Sequence, residues 1–267
     1  MSSNNLQIVP RLSVDRGNAD HGWLKTFHTF SFASYQGSGH EKFGSLRVIN
    51  EDRVEPKTGF GTHSHREFEI FSYIVNGELQ HNDSMGNVEV LKRGDIQLTS
   101  AGTGISHSEK AHGDKQVHFL QIWSLPSISK LTPTYFTRHF TDDEKKDKWV
   151  RVVAPAGAPG VSSKREDSGP TPVQSPLTLY STILSPSTTL PHTFPAGSSK
   201  GYIHVIQTSG YNPKAANGGA VKVSGGDGVE HVLREGDGAY ISAAAGKELN
   251  VENVGDRNAE VLLFDLE

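Results

Sequence analysis

The chain has 267 residues, with 26 Lys and Arg against 30 Asp and Glu, and a formal charge of −4 that gives no electrostatic footprint for direct nucleic-acid binding. It contains no cysteine, which excludes disulfides, thiolate metal sites and a cysteine nucleophile. No basic segment followed by an apolar run opens the sequence, and no apolar stretch approaches the roughly 18 residues of a membrane span. A soluble cytoplasmic protein without a membrane partner is expected, or a nuclear one in a eukaryote.

Along the chain, residues 44–50, 68–75, 88–91, 95–99 and 118–123 are short runs rich in β-branched or aromatic side chains, each bounded by Gly, Asn, Asp or Pro. Such spacing predicts an all-β sandwich or barrel with few short helices. Thr141-Asp142-Asp143-Glu144 predicts a helix start, because a threonine cap with glutamate three residues on fits a capping box. Lys145, Lys146 and Lys148 then read as a solvated helix face. Residues 155–176, rich in Pro, Gly and Ser, form either a linker or a long surface loop.

A repeat divides the sequence. Val90-Leu-Lys-Arg-Gly-Asp95 recurs as Val232-Leu-Arg-Glu-Gly-Asp237, offset by 142 residues, and both copies lead into Ser-Ala at 100–101 and 242–243. Tandem domains over 1–140 and 141–267 are expected.

Chemistry-bearing residues concentrate in the first half. Side chains at i and i+2 of a strand share a face, each residue advancing about 3.3 Å. His63 and His65 therefore both reach one metal ion if the segment is extended, whereas a helix would turn them apart. With 13 histidines, chance alone gives about 0.6 His-x-His pairs, so this pair is weak evidence by itself. His107 and Glu109 form a second same-face pair, with Gly102 and Gly104 before them to permit a bend. Three imidazoles and one carboxylate suit a divalent transition metal and leave positions open for water or substrate.

Gly61-Thr-His-Ser-His-Arg-Glu-Phe-Glu69, Gly77 with His81, Gly94-Asp95 and Ala101-Gly-Thr-Gly-Ile-Ser-His-Ser-Glu109 together resemble the cupin motifs in their pirin form. The segments 27–35 and 118–123 are similar to further pirin segments, so the match covers residues 15–125. The resemblance implies two cupin barrels (a bicupin) with His63, His65, His107 and Glu109 as metal ligands in the first. It departs from the general cupin pattern at Ser100, where proline is usual, and in a second-motif histidine that falls two residues late. Many cupins use the glutamate that corresponds to Glu69. Four residues beyond His65 on a straight strand, Glu69 would lie about 13 Å along, which favours Glu109 as ligand and Glu69 as a supporting carboxylate. His81 is either a pocket-edge residue or a hydrogen-bonded turn histidine, and His118 reads as a satisfied core histidine. His28, His40 and His112 read as surface or packing residues. Phe43, Phe60 and Phe71 either line a cavity or belong to the core.

At the 142-residue offset, His107 and Glu109 correspond to Leu249 and Val251. Alignment of Gly77 with Gly210 sets Ala196 and Ser198 against His63 and His65. The second half is thus expected to keep the fold without metal ligands, and His192, His204 and His231 do not recreate the spacing.

The resemblance implies a metal-dependent dioxygenase of the quercetin 2,3-dioxygenase type. Its partners would be a small aromatic substrate such as a flavonol, and O2. One divalent transition metal is implied, Fe(II) first, with Mn, Co, Ni, Cu or Zn also compatible with the donors. In that reading Glu109 is catalytic, accepting the proton of the flavonol 3-hydroxyl. The alternative implied by the same family is an iron-dependent, redox-sensing transcriptional coregulator, a binding module with a protein partner.

Overall fold

Alternation builds the structure. Strand Ile105–Ala111 buries Ile105, His107, Glu109 and Ala111 and turns the residues between them outward, the pattern of a strand with one face on a core. The computed structural model describes residues 6–225, 228–242 and 246–267. Among them no helix is long and apolar enough to cross a membrane.

The chain folds into two units that are discontinuous in sequence. The first comprises Gly17–Phe140 and Val152–Pro176; the second comprises the described residues up to Arg16, Thr141–Arg151 and Leu177–Glu267. One boundary between the units falls at Phe140–Thr141, but two segments lie across it. Strand Gln7–Arg11 pairs antiparallel with Gly238–Ser242 and so joins the second unit. Residues 152–176 group with the first unit; strand Thr171–Val173 pairs in parallel with Val150–Pro155, so the segment between them is a loop anchored at both ends and not a linker. The buried Arg138 guanidinium holds this loop, donating to the carbonyls of Ser162, Lys164 and Arg165 at 2.9, 3.0 and 2.9 Å.

In the first unit, seven antiparallel strands make one sheet in the order Thr134–His139, Asp95–Ser100, Glu69–Asn76, Val117–Ser124, Leu46–Val54, Leu24–His28 and Gly17–Asp20. A second sheet runs Gly59–His65, Ile105–Ala111, Glu78–Asp83 and Val88–Lys92. Val54, Ile74 and Phe119 from the first sheet pack with Leu79, Leu91 and Ala111 from the second. The result is an open two-sheet sandwich rather than a closed barrel.

The second unit repeats the plan. Its short sheet runs Thr189–Thr193, Glu248–Asn253, Ala220–Gly225 and Glu230–Arg234. The repeated Gly-Asp pair opens equivalent strands, and Asp95 and Asp237 accept from the backbone N–H of Lys92 and Arg234 at 2.8 and 2.9 Å. Ala243, part of the Ser-Ala extension of the repeat, lies outside the described residues.

The expected capping box forms at Thr141 and Glu144, but the helix spans only Asp142–Lys145. Lys145 is not on a solvated face. It is 0% exposed and pairs with Asp142 and Glu260, each at 3.5 Å. One turn after the cap is too short to carry a charged face, and its last side chain points inward.

Candidate metal centre

Cross-strand register brings the histidines together. His63 and His65 project from the same face of Gly59–His65, and His107 stands directly opposite His63 on the neighbouring strand. The Nε2 atom of His107 lies 3.0 Å from Nε2 of His65 and 3.1 Å from Nε2 of His63. Ligands at right angles around an ion with bonds of about 2.1 Å stand about 3.0 Å apart, so the separations fit one face of a coordination octahedron. His63 Nδ1 donates to the Gly61 carbonyl at 2.8 Å when Nε2 carries the lone pair, which aims the bare nitrogen at the centre. Burial, reinforced by the neighbouring imidazoles, pushes His65 down to about 4 and His107 down to about 3. Both rings are therefore neutral near pH 7, the state in which imidazole binds metal.

Glu109 stands one step further along. Register slips between His107 and Glu109, which faces Phe60 rather than Gly61. This bulge re-aims the strand. Gly59 permits the close approach, since a Cβ there would lie 2.2 Å from the Glu109 carbonyl oxygen. The carboxylate is buried and accepts from Gln121 Nε2 at 2.7 Å and Ser72 Oγ at 3.3 Å. Among the described residues, His63, His65 and His107 form one potential ligand set, and His81, His107 and Glu109 form a second that shares His107. The structure thus gathers the three expected histidines and places Glu109 beside them, with His81 directly opposite it. His81 is fully buried, bonds Asp83 at 3.3 Å and stacks on Tyr135 at 5.1 Å.

Glu69 has different partners. It accepts from Ser100 Oγ at 2.6 Å and from the Gln174 backbone N–H at 3.0 Å, fastening the loop to the sheet. Burial raises its pKa, partly offset by those two bonds. His118 bonds Glu51 at 3.0 Å in the core.

His63 and His65 open on a cavity of about 560 Å³, in the range of small-molecule sites. Trp23, Phe32, Phe60 and Trp123 line it, as do His28, Asn50, Asp52 and Gln121. His28 is therefore a cavity residue, not merely surface or packing. Phe71 is core and Phe43 does not line the cavity, leaving Phe60 alone of the three phenylalanines there. Beneath Glu109, the directly paired residues His28, Asn50, Gln121, Ser72 and Gln97 form a buried polar row across five adjacent strands. Sequence reading missed this row. The signal was present as polar residues at the alternate positions Asn50 and Asp52, but a strand ended at Asn50 hides it.

A sequence model described as Pirin matches residues 11–124. A quercetin 2,3-dioxygenase from Escherichia coli is 36% identical over 260 residues, covering 97% of this chain and 98% of the relative. The chain belongs to the pirin family. A pirin-like protein from Caulobacter vibrioides is 33% identical over 221 residues, covering 80% of this pirin and 91% of its relative. The crystal structure of the bacterial pirin YhhW of Escherichia coli in complex with nickel(II) superposes with a TM-score of 0.79 at 33% identity, covering 97% of this chain and 99% of that one.

The second unit of this pirin corrects one alignment. His192 pairs directly with Leu249, as His63 pairs with His107, so His192 and not Ala196 occupies the place of His63. The ungapped alignment failed because the segment between Thr193 and Lys200 is longer than that between His65 and Glu69. His192 bonds Asp265 at 2.7 Å, while Leu249 and Val251 are core residues.

Proposed function

We propose that this pirin is a metal-dependent quercetin 2,3-dioxygenase, in which His63, His65 and His107 hold one divalent ion through Nε2 and Glu109 is the fourth ligand and proton acceptor. The observation that carries the reading is the convergence of three imidazole nitrogens beside an aromatic-walled cavity that His63 and His65 line. The full-length similarity to a relative named quercetin 2,3-dioxygenase supports the choice of substrate. Iron(II) is our first assignment, and the same donors accept nickel.

When bound, the ion supplies Lewis acidity, lowers the pKa of a flavonol hydroxyl and organises the reaction with O2. The protein's own contribution is positional. Trp23, Phe32, Phe60 and Trp123 enclose a planar aromatic substrate and exclude water. Glu109 also borders the cavity, and Gln121 and Ser72 fix its carboxylate where it takes the 3-hydroxyl proton. Ring opening then consumes one O2 and releases carbon monoxide. Carbon monoxide release from quercetin by the metal-loaded protein tests the proposal.

A further inference from the structure

Two cross-strand pairs on the cavity wall have no part in holding an ion. Thr26 faces Asp52, and His28 faces Asn50, on the paired strands Leu24–His28 and Leu46–Val54. All four line the cavity and all are buried. Thr26 Oγ1 donates to Asp52 Oδ1, and His28 Nδ1 bonds Asn50 Oδ1 at 2.8 Å. These bonds fix both side chains and leave one function of each pointing elsewhere. Among the described residues, no protein group bonds Asp52 Oδ2 or the Asn50 side-chain amide nitrogen. An amide donor and a carboxyl oxygen, two residues apart on one strand, therefore face the same side about 6.6 Å apart at the backbone.

Polar groups with spare hydrogen-bonding capacity that face a cavity can bond whatever fills it. Their placement in the wall of an otherwise aromatic cavity is that of groups which orient a ligand. His28 is in turn braced by Phe32 and Tyr35, with ring centroids 5.3 and 6.4 Å away, so the Asn50 amide cannot swing freely to solvent. Burial also pushes Asp52 up to about 7, so the group is available both as donor and as acceptor near neutral pH.

We propose that Asn50 and Asp52, held by His28 and Thr26, form a hydroxyl-recognition subsite that selects planar polyphenols carrying phenolic hydroxyls besides the 3-hydroxyl. The inference rests on the flavonol reading of the cavity, but it concerns recognition rather than turnover. A site built to bond a hydroxyl discriminates strongly against an analogue lacking it, because its own polar groups are then buried unpaired.

The test is equilibrium binding, under argon, of quercetin and of 3-hydroxyflavone, which lacks every ring hydroxyl except the 3-hydroxyl. Metal-loaded wild type, Asn50→Ala, Asp52→Ala and the conservative Asp52→Asn are titrated by tryptophan fluorescence, with metal content as the control for an intact fold. Wild type is expected to prefer quercetin by at least about tenfold. In Asn50→Ala and Asp52→Ala that ratio is expected to fall to within about twofold, and Asp52→Asn to keep much of it. Equal affinities in wild type, or a ratio unchanged in both alanine variants, overturns the subsite. A preserved preference in binding with no carbon monoxide produced refutes the dioxygenase reading while upholding the subsite.

Discussion

Gln121 Nε2 donates to Glu109 Oε2 over 2.7 Å and thereby ties the candidate base to a polar row crossing the sheet beneath it. Gln121 lies between Asn50 and Ser72, each paired with it in register, so its side chain shares their face of the sheet. A carboxylate supported in this way is pre-oriented, at no cost at the moment of reaction.

Glu109→Gln keeps the shape but removes the basic oxygen. Flavonol turnover should fall by about 10²–10⁴-fold with the fold intact. Glu69→Gln should leave turnover within a few-fold. It should instead cost about 1–3 kcal/mol in chemical denaturation, since an amide cannot accept from both Ser100 and Gln174. Parallel rate and denaturant measurements on both variants check this, and a dead Glu69→Gln would return the ligand role to the general cupin position.

Metal content separates the two units. Elemental analysis should find one ion per chain, lost on His107→Ala and on the double change of His63 and His65 to alanine. His192→Ala should keep the ion while losing about 1–3 kcal/mol of stability, because Asp265 is left buried without its partner. A drop in metal with His192→Ala would place an ion in the second unit.

Much of this was legible from the sequence. Same-face spacing found His63 with His65 and His107 with Glu109, because strand alternation is local. The register that sets His107 against His63 is not local, nor is the bulge that offsets Glu109. The cavity wall was hidden for a related reason: Asn50 and Asp52 acquire meaning only through Thr26, His28 and Gln121 on neighbouring strands. Lys145 was misread because a run of charges resembles a solvated face, and only the fold brings Glu260 to it.

Asp52 gives the stability a pH dependence. Its folded pKa, raised to about 7, exceeds the unfolded value of about 4. The native state thus retains a proton that the unfolded chain has released, and this contribution is lost as pH rises through that window. Asp52→Asn cannot ionise, so its stability relative to wild type should rise between pH 4 and 7, by up to about 4 kcal/mol. Denaturation of both proteins across that range at constant metal loading is the check; a constant difference would mean that Asp52 titrates normally.

Lys145→Met should cost about 3–5 kcal/mol, because it removes the cation from a buried ion pair with Glu260. Changing Lys145 and Glu260 together to apolar residues should recover most of that loss. Urea midpoints of the single and double variants measure it, and an additive double variant would show that the pair is not coupled.

The most direct measurement is simultaneous oxygen uptake and carbon monoxide release with quercetin, using protein loaded in turn with iron(II), nickel(II), manganese(II) and cobalt(II). With at least one of these ions, the wild type should release carbon monoxide in equal amount to the oxygen consumed, and the His63/His65 double variant should release none. Oxygen uptake without carbon monoxide, or no turnover with any of the four ions, would contradict the assignment.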